Sequence, residues 1–114
     1  MALDPGKYNA TIWCGATWER TFTWRVDGTL VNWTGYTAKL QVKQFLNSAA
    51  VITLTSSSGI TLGGSAGTIA ISISSALTGA VTPGDYLYDL EVTNGASTYR
   101  VLDGKFTFDG QVTI

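Results

Sequence analysis

Eight carboxylates, one thiol and one glycine-rich loop are the groups in this chain whose types could do chemistry. The carboxylates are Asp4, Glu19, Asp27, Asp85, Asp89, Glu91, Asp103 and Asp109. Two of them a few ångströms apart in a cleft would supply the acid and the nucleophile or base of a glycosidase. Asp27, Asp85, Asp103 and Asp109 instead lie beside glycine in turn contexts, where aspartate is favoured for backbone reasons alone. Asp89 and Glu91 share the outward face of one strand and are placed to pair with Lys or Arg across a sheet. The remaining chemical reading is an adventitious Ca²⁺ at a turn, and no metal or cofactor is expected. With no histidine in the chain, Ser/His/Asp and Cys/His nucleophile systems have no base, and zinc has no ligand set. Cys14, between Trp13 and Gly15, has no basic neighbour to activate it and no second cysteine to pair with, so it reads as an inert thiol. Gly63 to Gly67, GGSAG, lacks the lysine of a phosphate loop and a helix to follow it, and reads as a hairpin connection. The expectation is a protein that is not an enzyme.

The aromatics carry the other candidate chemistry. The stretch GATWERTFTWRVDGTLVNWTGY, Gly15 to Tyr36, holds Trp18, Trp24 and Trp33 with Phe22 and Tyr36, a density that suits either a sugar-stacking platform or a core. Parity separates the two. Trp18, Arg20, Phe22, Trp24 and Val26 share one face of a strand, while Thr17, Glu19, Thr21, Thr23 and Arg25 share the other, so Trp18 and Trp24 are expected in the core. Tyr86, Tyr88, Leu90 and Val92 follow the same rule. Trp13 and Trp33 fall outside clean alternation and stand as partner-facing candidates. Leu3 and Tyr8 join them, from an extended N-terminal arm over Met1 to Tyr8 that is suited to reaching a neighbour or adding to a sheet edge.

The elements that must position these residues are strands. A 114-residue chain fits one domain, residues 1–114. Thr17–Val26, Tyr36–Phe45, Val51–Thr55, Ile60–Leu62, Thr68–Ser74, Tyr86–Val92, Ser97–Leu102 and Lys105–Phe108 all read as strands. Asp27-Gly28 and Asn94-Gly95 are hairpin signals, Asp103-Gly104 splits the last two strands, and Ser75 to Leu77 forms a single helical turn. Eight or so short strands with turn signals at roughly 8–12-residue spacing predict an all-β, immunoglobulin-like antiparallel β-sandwich. A net charge of −1, with no run of either sign, excludes the clustered cations of a nucleic-acid site. Apolar runs stay far below the roughly 18 residues of a membrane span, and the opening MALDPGKYNAT lacks the features of a signal segment. Synthesis in the cytoplasm is therefore expected. Sparse surface charge, with 13% charged residues, weakens self-repulsion and suits a homo-oligomer or symmetric array.

The series G-x-T-W with alternating aromatics, then DGT-x-V-x-WTGYTAKLQV, then GDY-x-YDLEV and a closing LDGKFT resembles a group of small tailed-phage virion proteins. It is similar to the immunoglobulin-like N-terminal domain of phage baseplate upper proteins. The resemblance runs from about Gly15 to Phe108 and is carried by Gly28, Gly35, Gly84, Gly104, Tyr86, Tyr88, Leu90 and Asp89. It implies a non-enzymatic virion structural protein that docks on the major capsid protein as decoration or cement, or on tail or baseplate proteins. It brings no catalytic residues. The alternative is a carbohydrate-binding module for host-surface adhesion, which requires Trp13 or Trp33 on an exposed flat face.

Overall fold

The computed structural model describes residues 6–110. Strands β1 (Gly6–Lys7), β2 (Ala10–Trp13), β6 (Thr37–Lys43), β7 (Ala50–Thr55), β10 (Gly84–Asn94) and β11 (Ser97–Asp109) form one six-stranded sheet. Its order runs β7, β6, β10, β11, with β1 and then β2 end to end along the far edge of β11. Strands β3 (Trp18–Thr23), β9 (Thr68–Ile73) and β8 (Ile60–Leu62) form the second sheet, and β4 (Arg25–Val26) with β5 (Thr29–Leu30) makes a small hairpin. This is the immunoglobulin-like arrangement, with β3, β8 and β9 standing as strands B, D and E and β6, β10 and β11 as C, F and G.

Period-two patterning built these strands. Ala38, Leu40 and Val42, Ile52 and Leu54, Ile69, Ile71 and Ile73, and Tyr86, Tyr88, Leu90 and Val92 all point into the space between the sheets and are buried. Trp18, Phe22 and Trp24 pack against that core from its margin and are half-buried. At Asp27 (φ 52°) and Gly28 (φ 80°) both central residues of the β4–β5 turn are left-handed, as a two-residue turn of the primed type demands. The helical turn is α1, Ser75–Gly79, capped by the Ser74 hydroxyl.

Four local expectations are corrected. The strand from Thr17 does not reach Val26 unbroken, because Trp24 leaves the β9 ladder: its N–H bonds Gly67 O at 2.9 Å and its carbonyl accepts from Val31. The second hairpin turn is Gly95-Ala96, one residue later than expected, with Asn94 still paired to Ser97. Asp103-Gly104 is no turn at all, since β11 runs through it. A Cβ on Gly104 would collide with the Tyr8 carbonyl and lie 2.9 Å from Asn9 Oδ1, so the glycine is there for a close crossing of backbones. Finally, the N-terminal segment is no free arm within the described residues but adds a parallel edge to the antiparallel sandwich. Gly6–Lys7 and Ala10–Trp13 pair parallel to β11, and Tyr8 N–H bonds Asp103 O at 3.0 Å.

Two tyrosines lock β10. Tyr86 Oη donates to Thr82 O at 2.7 Å, the corner bond found at the start of strand F in immunoglobulin folds. Tyr88 stacks on Phe106 with ring centroids 3.8 Å apart and planes 11° from parallel, and its hydroxyl donates to Tyr8 O at 2.6 Å. Burial, then the neighbouring Tyr8 and Asp103, push the Tyr88 phenol well above its ordinary value. A phenol raised on folding adds stability below its unfolded value, about 10, and that stability drains away as pH rises through the shifted range.

Two outcomes follow for unfolding measurements. Gly104→Ala is expected to lose about 1–3 kcal/mol in urea denaturation, the range for forcing atoms into a packed site. Tyr88→Phe is expected to be less stable than the natural chain at pH 7 by about 0.5–1.5 kcal/mol, the worth of one hydrogen bond. Because phenylalanine cannot ionise, that gap should close above pH of about 10; a gap constant to pH 11 would contradict the origin assigned to it.

Candidate functional site

The sequence candidates do not form one surface. Trp33 is 1% exposed and sits edge-on between Trp24 (centroids 5.9 Å) and Tyr36 (5.2 Å), so it is core and not partner-facing. The reason lies in its backbone: Trp33 N–H bonds Gly64 O at 2.9 Å, which draws the segment inward over the end of the sandwich. Tyr8 is half-buried and packs on residues of its own chain. Its ring meets Phe22 edge-on at 5.1 Å and lies 5.5 Å beneath the Arg20 guanidinium. Leu3 lies outside the described residues. Only Trp13 keeps an outward ring, 60% exposed, at the end of β2. Cys14 follows it into the core, with Sγ 3.5 Å from Val81 O. Beside it Thr78, the one buried polar side chain among the described residues, accepts from Gly15 N–H at 3.1 Å and donates to Ala16 O at 2.8 Å. The thiol region is therefore structural.

The feature that sequence reading missed is the outer face of the large sheet. It is concave, enclosing about 510 Å³, and cross-strand register arranges its side chains in rows. One row reads Lys43, Leu87, Lys105; the next Gln41, Asp89, Asp103, Lys7; the third Lys39, Glu91, Arg100. Asp89 and Asp103 stand directly opposite, a juxtaposition that costs free energy unless cations intervene. They do: Arg100 lies 3.5 Å from Asp89 and 3.8 Å from Asp103, and Lys7 Nζ lies 2.7 Å from Asp103. The expectation that Asp89 pairs across the sheet therefore holds. Asn9 closes the wall, its Oδ1 accepting from Lys105 N–H at 2.9 Å.

Lys43 and Lys105, two strands and so roughly 10 Å apart, make no ion pair with a described residue. Between them Leu87 is partly exposed, and from the β6–β7 loop Leu46, 80% exposed, borders the same hollow. Phe45, 65% exposed, precedes it in a loop tied by the Ser48 hydroxyl to Phe45 N and O at 3.0 and 2.8 Å. The arrangement offers two cations around an apolar floor, which suits recognition of an acidic, partly apolar surface. Among the described residues no three His, Cys, Asp or Glu side chains gather as a metal cluster, and no helix is long and apolar enough to cross a membrane. Charge alternation at Asp89, Glu91, Lys39 and Lys43 was the available signal for this face, but it becomes a surface only when three strands are laid in register.

No protein-family model matches the sequence, and no curated protein matches it. Among solved structures the chain is similar to part of an endo-β-1,4-mannanase from Thermotoga petrophila, with 15% identity and a TM-score of 0.52 over 95% of this chain and 18% of that one. It is also similar to part of a family 123 glycoside hydrolase from Clostridium perfringens, with 15% identity and a TM-score of 0.46 over 98% of this chain and 24% of that one. The chain thus spans less than a quarter of either enzyme. A likeness at this identity is one of architecture, which many unrelated functions share. The strand topology is that of an immunoglobulin-like β-sandwich.

Proposed function

We propose that this domain is a non-enzymatic docking module, a tailed-phage virion structural protein that seats on a capsid, tail or baseplate protein. The observation that supports the reading best is the concave outer face, where Lys43 and Lys105 flank Leu87 beside the protruding Leu46. Two of its three carboxylates, Asp89 and Asp103, are engaged as ion-pair partners by Arg100 and Lys7. Charged residues on a rim steer a partner and set its orientation, while a small apolar centre supplies desolvation. Modest single contacts then suffice, because virion symmetry repeats them.

The carbohydrate reading rests on Trp13. A sugar-binding plane needs aromatic surface broad enough to lie under a ring, and Trp13 is a single indole at a strand end, with the sandwich's other tryptophans in or against the core. The concave face presents lysines and carboxylates, with no outward aromatic ring on its three rows.

Quantitative mass spectrometry of purified particles of the phage encoding this chain is expected to find the protein at a copy number set by capsid or tail symmetry. In the same particles, Lys43→Glu combined with Lys105→Glu is expected to cut incorporation about tenfold or more, since like charges would then face an acidic partner. Arg25→Glu, on the β4–β5 hairpin, serves as the control and is expected to be neutral. Absence of the natural chain from particles would refute the virion role, and glycan binding abolished by Trp13→Ala would favour the carbohydrate module instead.

A further inference from the structure

From Gln44 to Gly84 the chain carries no charged side chain. That stretch supplies β7, β8, β9 and α1, and it includes one edge of each main sheet, β7 and β8, that pairs with no further strand among the described residues. Natural proteins guard exposed edges with charge, proline or irregularity, because unpaired N–H and C=O groups invite another strand. The other edges here are guarded or short. Lys7 stands on the β1–β2 edge in its ion pair with Asp103. The β3 edge carries Glu19 and Arg20, the latter laid over Tyr8. The β8 edge is only three residues long. Strand β7, AVITLT, has six residues rich in β-branched side chains with neither charge nor proline; a register shift opposite Lys43 interrupts its start, and at its end Thr55 and Ser58 exchange backbone bonds at 3.0 and 2.9 Å.

Between these two ends its backbone is open for pairing at Thr53. Ser56 N–H bonds Ala38 O, so by antiparallel alternation Leu54 and Ile52 exchange bonds with Leu40 and Val42, and Thr53 turns its N–H and C=O away from β6. The Thr53 side chain is exposed, as is that of Val51.

We propose that β7 pairs antiparallel with β7 of a second copy of this chain about a two-fold axis, joining two large sheets into one. The choice of a second copy follows from charge. In a two-fold contact each patch meets itself, so any net charge meets its like. The concave face would set Lys43 and Lys105 against their own copies, whereas β7 has no charge to repel. Antiparallel pairing within one continuous sheet places the axis perpendicular to that sheet. Both concave faces therefore look the same way, and the dimer presents two docking sites to one partner surface. This inference is independent of what the concave face binds.

Sedimentation velocity over a dilution series is expected to show a dimer that dissociates to monomer, and amide hydrogen exchange to show Thr53 N–H protected in the dimer and fast in the monomer. Thr53→Pro removes the outward donor at a position where an edge strand tolerates proline, and Thr53→Lys sets like charges on the edge. Both are expected to be monomeric with cooperative thermal unfolding retained, and if the proline variant fails to fold, the lysine variant decides. A natural chain that stays monomeric at its highest soluble concentration overturns the proposal, as does a dimer that persists in the folded variants or leaves Thr53 unprotected. Loss of docking alone is distinguishable, because Lys43→Glu with Lys105→Glu should leave the dimer intact.

Discussion

The approach of the N-terminal segment to β11 at Gly104 is the contact on which the rest of the structure leans. With no Cβ in the way, Tyr8 crosses close enough for its carbonyl to take the Tyr88 hydroxyl and for its N–H to reach Asp103. That crossing sets Tyr8 against Phe22 and under Arg20, which ties the large sheet to β3 of the small one. It also brings Lys7 and Asn9 to the outer face, where they form one wall of the hollow. A single glycine thus couples the closure of the core to the shape of the surface.

The distribution of charge follows from the same frame. Ionic side chains are costly to bury unless paired, so the strands that alternate Lys, Asp and Glu with apolar residues turn their charges to the outer face of the large sheet. There the opposed Asp89 and Asp103 are held together by Arg100 and Lys7, and this network leaves Lys43 and Lys105 beyond its reach. The residues that build β7, β8 and β9 turn Thr, Ser, Ala and Val outward instead. One surface thus carries unpaired cations around an apolar floor, and one flank carries no charge at all.

Individual residues show where sequence reading succeeds. The Thr17 to Thr23 alternation places Trp18 and Phe22 against the core because side-chain direction in a strand reverses at each residue. The same rule, applied to Val31 and Trp33, would have put that tryptophan inside; both are buried and the intervening Asn32 is exposed. The short irregular segment between Leu30 and Tyr36 hid the pattern. Asp103-Gly104 misled for a different reason: the dipeptide is a turn signal, yet a glycine required by a crossing backbone leaves the same mark in one dimension.

What the sequence by itself determined was carried by neighbours along the chain: most of the strands, the primed turn at Asp27-Gly28, most of the inward faces, and the lack of a histidine-based site. These depend on local sterics and on period-two burial, which a linear pattern records. The tertiary structure alone decided which edge stays open, which glycine admits a crossing strand, and which lysines are left without a partner. Each of those depends on residues far apart in the chain, Tyr8 with Gly104, Lys43 with Lys105, Trp24 with Val101, whose indole N–H to carbonyl bond spans the two sheets at 3.3 Å. Their proximity is set by packing and register, which no local spacing encodes.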